Sequence, residues 1–252
     1  MKRLEDKVIL IAGGGGIGNE MARRYASEGA SVVIGDIDAA IATTAARDIS
    51  EAGGSAIGLE LDGSEEDSIA EAVKLTCSRF GGLDGININF TQPNEGDTLD
   101  VLGIPMADWD EVTRVNQRGY VLCTRHALPP MIERGGGSIV YTISDAAYLG
   151  MSERVGYSMS KAATTALMRH VARRFGRDGI RANAIAPGLI VHEKVEEMMP
   201  ADFLESSKAS TLTGNLGRPS DIAAVAALLM SEDGCHVTGQ IINVNGGSLM
   251  RP

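Results

Sequence analysis

The sequence predicts a single α/β domain with a doubly wound parallel sheet of the Rossmann type. Short apolar runs alternate with longer amphipathic stretches along the chain, a pattern typical of β-α-β units. The 252 residues are enough for one large domain with a substantial core, so we expect residues 1–252 to form one unit. No internal repeat or linker interrupts the alternation.

The short apolar runs are the candidate strands, and in chain order they cover residues 8–12, 31–36, 55–61, 84–90, 137–143, 181–186 and 240–244. The longer amphipathic stretches between them are the candidate helices. They cover approximately residues 17–28, 39–52, 65–80, 108–133, 155–177 and 219–231. Because such helices connect parallel strands, they should cover both faces of the sheet. The one long irregular stretch, residues 188–216, is predicted to be a substrate lid.

Composition excludes several classes of partner. The net charge of -10 argues against nucleic acid, which would require a basic patch. The apolar run at residues 222–230 is far below the ~20 residues that span a bilayer, so no membrane partner is expected. Cys77, Cys123 and Cys235 form neither a C-x-x-C pair nor an even disulfide set. They fit a reducing, cytoplasmic location, and no metal site is predicted.

A glycine-rich turn follows the first strand and precedes the first helix. Gly13, Gly15 and Gly18 fit the G-x-G-x-x-G pattern of dinucleotide-binding turns in the context that the pattern requires. Glycines let the backbone approach a pyrophosphate, and the helix N-terminus adds a positive dipole. The alternative is that four consecutive glycines form only a flexible turn.

Asp36 ends the second strand, about 20 residues beyond the glycines, where a carboxylate can accept hydrogen bonds from an adenosine ribose. Its charge would repel the 2′-phosphate of NADP. No Lys or Arg between Gly35 and Ala46, or in the glycine turn, offers that phosphate a partner. The sequence therefore favours NAD over NADP, although a strand-end aspartate more commonly caps the next turn.

A tyrosine and a lysine, Tyr157 and Lys161, stand four residues apart in a predicted helix and so share one of its faces. A cation close to a phenol favours the phenolate and moves the pKa of the hydroxyl from ~10 toward values useful for proton transfer. The pair is therefore a candidate acid/base device. Alone, the spacing also fits an ordinary tyrosine with a solvated lysine one turn away.

With these features in this order, the chain resembles the classical short-chain dehydrogenase/reductase family from about residue 4 to residue 247. The most specific segments are YSMSKAATTALMRHVARRFGRDGIRANAIAPGLI, which begins at Tyr157, VNQRGYVLCTR around Asn116, and VTGQIINVNGG at residues 237–247. The resemblance implies the sheet order 3-2-1-4-5-6-7. It also implies hydride transfer between NAD(H) and a small-molecule secondary alcohol or ketone, and assembly as a homotetramer.

The resemblance assigns four catalytic residues, namely Asn116, Ser144, Tyr157 and Lys161. Ser144 stands thirteen residues before Tyr157, at the end of the fifth strand, and both hydroxyls would bind the oxygen of the reacting carbinol or carbonyl. Tyr157 would be the general base in oxidation and the general acid in reduction. Lys161 would stabilise the tyrosinate and hold the nicotinamide ribose, and Asn116 would hold a water of the proton relay. For Ser144 and Asn116 the alternative is a polar side chain bonded to nearby backbone.

Further cofactor contacts follow from the resemblance by position. Asp62 falls where an acid meets the adenine amino group, and Asn89 falls in the motif after the fourth strand, although either residue is also suited to stabilise a turn. Pro187 and Gly188 would lie beside the nicotinamide, and Ile190 would bind the carboxamide through its backbone. The full set of predicted cofactor contacts is Gly13, Gly15, Gly16, Ile17, Gly18, Asp36, Ile37, Asp62, Gly63, Asn89, Tyr157, Lys161, Pro187, Gly188 and Ile190.

Three departures from the family pattern concern the cofactor. Ala12 stands where the family's glycine turn has threonine, and the turn is one residue shorter. Phe90 and Thr91 replace small residues after the fourth strand and are expected to narrow the cleft beside the adenosine. His192 replaces a threonine that follows the Pro-Gly pair. None of these changes removes a proton-transfer group. We therefore expect them to affect the affinity for the cofactor more than the reaction itself.

The substrate pocket is predicted from the segment after Ser144 and from the lid. The candidate substrate contacts are Asp145, Tyr148, Met151, His192 and Met198. They indicate an adaptable wall for a medium-sized secondary alcohol or ketone. Two other classes remain open, a non-catalytic NAD-binding sensor and an isomerase or dehydratase that uses transient hydride transfer.

Overall fold

A computed structural model of the chain describes residues 2–92 and 95–250, apart from the side chains of Glu95, Glu193 and Lys194. Within these residues seven parallel strands form one sheet in the order β3-β2-β1-β4-β5-β6-β7, which confirms the predicted order. The strands are β1 Val8–Ala12, β2 Ser31–Asp36, β3 Ser55–Glu60, β4 Gly85–Ile88, β5 Gly137–Thr142, β6 Ile180–Pro187 and β7 Ile241–Val244.

Helices connect the strands and lie on both faces of the sheet. They are α1 Gly16–Ser27, α2 Ala39–Glu51, α3 Glu66–Phe80, α4 Met106–Thr113, α5 Tyr120–Glu133, α6 Val155–Phe175, α7 Glu193–Met198, α8 Ala201–Ala209 and α9 Pro219–Met230. No helix within the described residues has the length and hydropathy needed to cross a bilayer.

The predicted helical stretch 108–133 is helical throughout, and a π-helical segment, Arg114–Gly119, lies between α4 and α5. One prediction about these elements was wrong. The segment 188–216 is not irregular throughout, because it contains α7 and α8. Helix α8 buries none of its side chains, so its sequence lacks the apolar period by which a packed helix is recognised.

The core has two parts, one on each face of the sheet. On one face, Tyr120 of α5 and Met168 of α6 pack on side chains such as Leu10 of the central strands. On the other face, Met21 of α1 and Ile222 of α9 occupy the equivalent layer. All five residues of β1 are buried, as expected for a central strand covered on both faces.

The sheet topology determines where a ligand can bind. All strands are parallel, so their carboxyl ends lie along one edge of the sheet. Strands β2 and β3 are added on one side of β1, whereas β4 to β7 are added on its other side. The order of the strands therefore reverses between β1 and β4, which are hydrogen-bonded neighbours. In doubly wound sheets a crevice forms outside the carboxyl ends at this reversal point, and ligands bind there.

Candidate active site

A cleft of about 530 Å³ lies at the carboxyl edge of the sheet, in the size range of small-molecule sites. It brings together most of the predicted site residues, namely Gly13, Gly15, Gly16, Ile17, Asp36, Ile37, Gly63, Asn89, Ser144, Tyr157, Lys161, Pro187, Gly188, Ile190 and His192. Leu61, Thr142, Ile143 and Val195 also line the cleft and were not predicted. They are apolar or strand-end residues without a chemical signature in the sequence.

The glycine turn joins β1 to α1 and has no room for side chains at two of its positions. A β-carbon at Gly13, where φ is +104°, would lie 2.4 Å from the backbone nitrogen of Phe90. A β-carbon at Gly18 would lie 1.9 Å from the carbonyl oxygen of Gly13. Gly18 therefore allows the turn to close, and it does not line the cleft. Gly15, by contrast, faces open space.

Asp36 ends β2 and holds the glycine turn in place. One carboxylate oxygen accepts a hydrogen bond from the backbone of Gly14 at 2.8 Å, and the other accepts one from the backbone of Asp38 at 3.0 Å. The turn-capping role that the sequence left as an alternative is thus present. Each oxygen keeps a second lone pair for another donor, so the residue can also accept from a hydroxyl in the cleft.

The two remaining candidate adenosine contacts differ in position. Asp62 accepts hydrogen bonds from the backbone and the hydroxyl of Ser64, at 2.8 Å and 2.6 Å, and it does not line the cleft. This is the turn-stabilising alternative. Asn89 does line the cleft, and its amide donates to the carbonyl oxygen of Gly13 at 3.2 Å.

Lys161 reaches the cleft from α6 and is only 2% exposed. Its Nζ donates hydrogen bonds to the hydroxyl of Tyr120 and to the carbonyl oxygen of Thr142, both at 2.9 Å. Burial, and to a smaller extent the charge of Arg154, lower the pKa of the Lys161 ammonium to about 7. Two of its three N–H donors have protein partners, so one is available to a ligand.

Tyr157 stands on the same face of α6, with Nζ of Lys161 5.6 Å from the centroid of its ring. Burial raises the pKa of the Tyr157 hydroxyl, and the carboxylate of Asp97 adds to this rise. A hydrogen bond with Ser144 and the charge of Arg154 act in the opposite direction. The expected lowering of this pKa by the neighbouring lysine is therefore wrong for the protein alone, because desolvation of the phenol dominates.

Ser144 and Asn116 differ in their access to the cleft. Ser144 follows β5 and lines the cleft, and its hydroxyl accepts a hydrogen bond from the backbone of Ala146 at 3.2 Å. Asn116 is fully buried in the π-helical segment and does not line the cleft. Its side-chain oxygen accepts from the backbone of Gln92 at 2.9 Å, while its amide nitrogen has no partner among the described residues.

The structure separates the five candidate substrate contacts. Asp145 is buried and does not line the cleft, and its carboxylate accepts hydrogen bonds from Asn245 at 2.8 Å and Ser248 at 3.2 Å. Tyr148, Met151 and Met198 are exposed and do not line the cleft. His192 does line it, and its ring covers the glycine turn, since a β-carbon at Gly16 would lie 2.8 Å from Cδ2 of His192.

An aromatic cluster beside Lys161 was missed from the sequence. The rings of Phe90 and Tyr120 meet edge to face, with centroids 5.2 Å apart, and Tyr120 stacks on Tyr141 at 6.4 Å. The Phe90 ring occupies space left by glycine, because a β-carbon at Gly63 would lie 2.7 Å from it. The bulky Phe90 thus packs toward Tyr120. The sequence feature that could have identified Tyr120 as a site residue is its position one helical turn after Asn116.

Comparisons with known proteins agree with this geometry. A family model described as Enoyl-(Acyl carrier protein) reductase matches residues 11–248. A probable short-chain type dehydrogenase/reductase of Bradyrhizobium diazoefficiens is 36% identical over 252 residues, which cover 99% of this chain and 89% of the relative. The chain belongs to the short-chain dehydrogenase/reductase family.

Solved structures of short-chain dehydrogenases/reductases have the same fold as this chain. A member from Mycobacterium ulcerans aligns with a TM-score of 0.92 and 28% identity, over 97% of this chain and 90% of that one. A 7α-hydroxysteroid dehydrogenase was solved with NADH and 7-oxo glycochenodeoxycholic acid. It aligns with a TM-score of 0.91 and 30% identity, over 99% of this chain and 98% of that one. Membership makes this chain an oxidoreductase of the nicotinamide-dependent type.

Proposed function

We propose that this short-chain dehydrogenase/reductase transfers a hydride between NAD(H) and a secondary alcohol or ketone. The observation that carries the proposal is the convergence of Ser144, Tyr157 and Lys161 on the cleft that also contains the glycine turn and Asp36. A proton-transfer group, a cation and a dinucleotide-binding turn therefore share one space. That combination is what hydride transfer to a carbonyl requires from the protein.

The cleft residues fit a dinucleotide. The backbone at Gly15 is open to the cleft at the start of α1, where an approaching pyrophosphate would meet free N–H groups and the positive end of the helix dipole. Asp36 retains acceptor capacity for the adenosine ribose. When bound, the nicotinamide supplies or accepts the hydride.

NAD is the proposed cofactor rather than NADP. Asp36 places a negative charge at the edge where a 2′-phosphate would lie, and residues 35–46 contain no Lys or Arg that could pair with that phosphate. The 7α-hydroxysteroid dehydrogenase of similar structure was solved with NADH. Both observations support the same preference.

Ser144, Tyr157 and Lys161 would have different roles at the reacting oxygen. The hydroxyls of Ser144 and Tyr157 would hold this oxygen, where negative charge develops during the reaction. Tyr157 would accept a proton from an alcohol or donate one to a ketone. Lys161 would use its remaining N–H donor on the nicotinamide ribose, and its charge would stabilise the tyrosinate.

The proposal is tested by following nicotinamide absorbance while secondary alcohols of several classes are added with NAD⁺. Net formation of NADH with at least one class is the expected result. Binding of NADH without turnover of any alcohol or ketone would instead support the sensor. Conversion of a compound without accumulation of NADH would support transient hydride transfer.

Assembly as a homotetramer is proposed from the family resemblance. Such an interface would bury apolar side chains that are exposed on and just before α4 and on α5. They are Val101, Leu102, Met106 and Val121. Leu102 is 92% exposed, which is unfavourable for an isolated chain. Light scattering at micromolar concentration should give about four times the 26.5 kDa mass of the chain, and a monomer would contradict the assembly.

A further inference from the structure

Arg154 has an unusual backbone conformation next to the catalytic helix. Its φ of 61° and ψ of 43° lie in the left-handed region, and Asp6 is the only other non-glycine residue with positive φ in the described chain. A side chain with a β-carbon is unfavourable in this conformation. Arg154 also occupies the N-cap position of α6 without capping it, so helix stability does not explain the residue. Such strain is a known feature of functional sites.

The conformation directs the guanidinium over the ring of Tyr157. Cζ of Arg154 lies 4.2 Å from the ring centroid, a cation–π contact with the predicted proton-transfer residue. The charge of Arg154 also lowers the pKa of Tyr157 and that of Lys161. Arg154 therefore lies within electrostatic reach of both groups that are proposed to move or stabilise the proton.

Arg154 has no ionic partner among the described side chains, although the chain carries ten more acidic than basic residues. The carboxylate of Asp97 acts on the same tyrosine, and it is buried and accepts hydrogen bonds from the backbone of Tyr157 at 3.1 Å and 3.2 Å. Glu153, the preceding residue, is exposed and makes no ion pair with Arg154. The five N–H donors of the guanidinium thus have no described acceptor.

A guanidinium over an aromatic ring can still bind an anion through its N–H edge. The edge donates two parallel hydrogen bonds to a carboxylate, the strongest pairing that arginine makes. The reacting oxygen of the substrate would sit at the hydroxyl of Tyr157, on the ring whose centroid lies 4.2 Å from Cζ of Arg154. Arg154 is exposed and does not line the cleft, so a carboxylate bound by it would lie outside the cleft, on a substrate chain short enough to reach from Arg154 to the hydroxyl of Tyr157.

We propose that Arg154 is an anion-binding residue that selects keto and hydroxy acids of short length as substrates. The inference rests on the proposed function and specifies its substrate class. In reduction, the hydride of NADH goes to the ketone carbon and the proton of Tyr157 goes to its oxygen, which gives NAD⁺ and the hydroxy acid. The carboxylate stays on Arg154 and takes no part in the bond changes.

The test uses two acids, acetoacetate and levulinate, and their neutral amides, acetoacetamide and levulinamide. Each compound is titrated into the complex of the enzyme with NADH, and binding is read from nicotinamide fluorescence. At least one acid should bind tenfold or more tightly than its amide. The Arg154→Gln variant should lose this preference, and Arg154→Lys should keep part of it because the charge remains without the planar fork.

Arg173→Gln is the matched control, since it removes an exposed arginine from the last turn of the same helix, far from Tyr157. It should bind all four compounds as the parent does. Equal binding of acids and amides, no binding of either acid, or an unchanged preference in Arg154→Gln would overturn the inference. If the parent did not bind NADH, the proposed function itself would fail, and the titration with NADH alone reveals that case first.

Discussion

Nζ of Lys161 donates a hydrogen bond to the hydroxyl of Tyr120 at 2.9 Å. The proton of that hydroxyl is directed to the carbonyl oxygens of Phe90 and Thr142, at 3.0 Å and 3.1 Å, which can only accept. Tyr120 therefore accepts from Lys161 and cannot pass a proton onward. It fixes the position of the ammonium and leaves one of its N–H donors without a protein partner among the described residues.

Replacing Tyr120 with Phe should weaken NADH binding and lower kcat/KM about tenfold or more. A hydrogen bond to a charged group contributes roughly 1.5–3 kcal/mol, and a loss of ~1.4 kcal/mol is a factor of ten. The ammonium would also lose an acceptor that favours its charged form, so the pKa of Lys161 should fall and the alkaline limb of the pH–rate profile should move to lower pH.

Tyr141→Phe is the control for this change. Tyr141 is equally buried and stacks on Tyr120, but among the described residues its hydroxyl bonds only to Thr124, at 2.9 Å. NADH affinity and the pH profile of Tyr141→Phe should match the parent. Similar losses in both variants would mean that the aromatic cluster serves packing alone.

The depressed pKa of Lys161 predicts a dependence of stability on pH. In the folded protein this pKa is about 7, whereas a lysine in the unfolded chain titrates near ~10.4. Between these values the unfolded chain binds a proton that the folded chain does not, so the free energy of unfolding rises with pH. The slope is at most about 1.4 kcal/mol per pH unit.

Chemical denaturation of the parent and of Lys161→Met between pH 7 and pH 9.5 measures this effect. The stability of the parent relative to the variant should increase across the range, because methionine cannot titrate. Parallel curves for the two proteins would show that the buried ammonium keeps an ordinary pKa.

Asp36→Arg should exchange the cofactor preference. The substitution removes the acceptor for the adenosine ribose and supplies a cation for the 2′-phosphate. NADH should bind more weakly and NADPH more tightly than in the parent, as measured by fluorescence titration. Asp36→Asn removes the charge but keeps one side-chain oxygen that can accept from Gly14, so it separates loss of charge from loss of that hydrogen bond. Equal affinities of the parent for NADH and NADPH would contradict the role of Asp36.

Two glycines of the turn should respond differently to alanine. Gly18→Ala places a β-carbon 1.9 Å from a backbone oxygen, so the turn must distort and the protein should lose roughly 1–3 kcal/mol of stability or more. Gly15 has φ of -55° and faces open space, so Gly15→Ala should change stability by only about 0.5 kcal/mol. Its methyl group would enter the pyrophosphate space, and NADH binding should fall. Thermal unfolding and NADH titration of both variants check the contrast.

The sequence predicted those parts of the molecule that depend on local patterns. Strands β1 and β2 have the predicted bounds, because a glycine turn and an acidic residue mark their ends. Tyr157, Lys161 and Ser144 meet in one cleft because their spacing matches a helix face and a strand end. Such features can be recognised in one segment at a time.

Features that depend on contacts between distant segments were not predictable in this way. The contact between Tyr120 and Lys161 requires α5 and α6 to pack side by side, and the position of the Phe90 ring depends on a glycine in another loop. The raised pKa of Tyr157 depends on how deeply α6 is covered. Asp62 was assigned to the adenine by position, but its bonds to Ser64 stabilise its own turn.

The most direct test of the proposed proton transfer is the turnover of Tyr157→Phe with whichever secondary alcohol the parent oxidises. Removing a general acid/base group should lower kcat/KM by roughly 10²–10⁴-fold. Because the phenylalanine ring fills the same space, NADH should bind to the variant within about threefold of the parent. A variant that bound NADH and oxidised the alcohol at the rate of the parent would contradict the role of Tyr157.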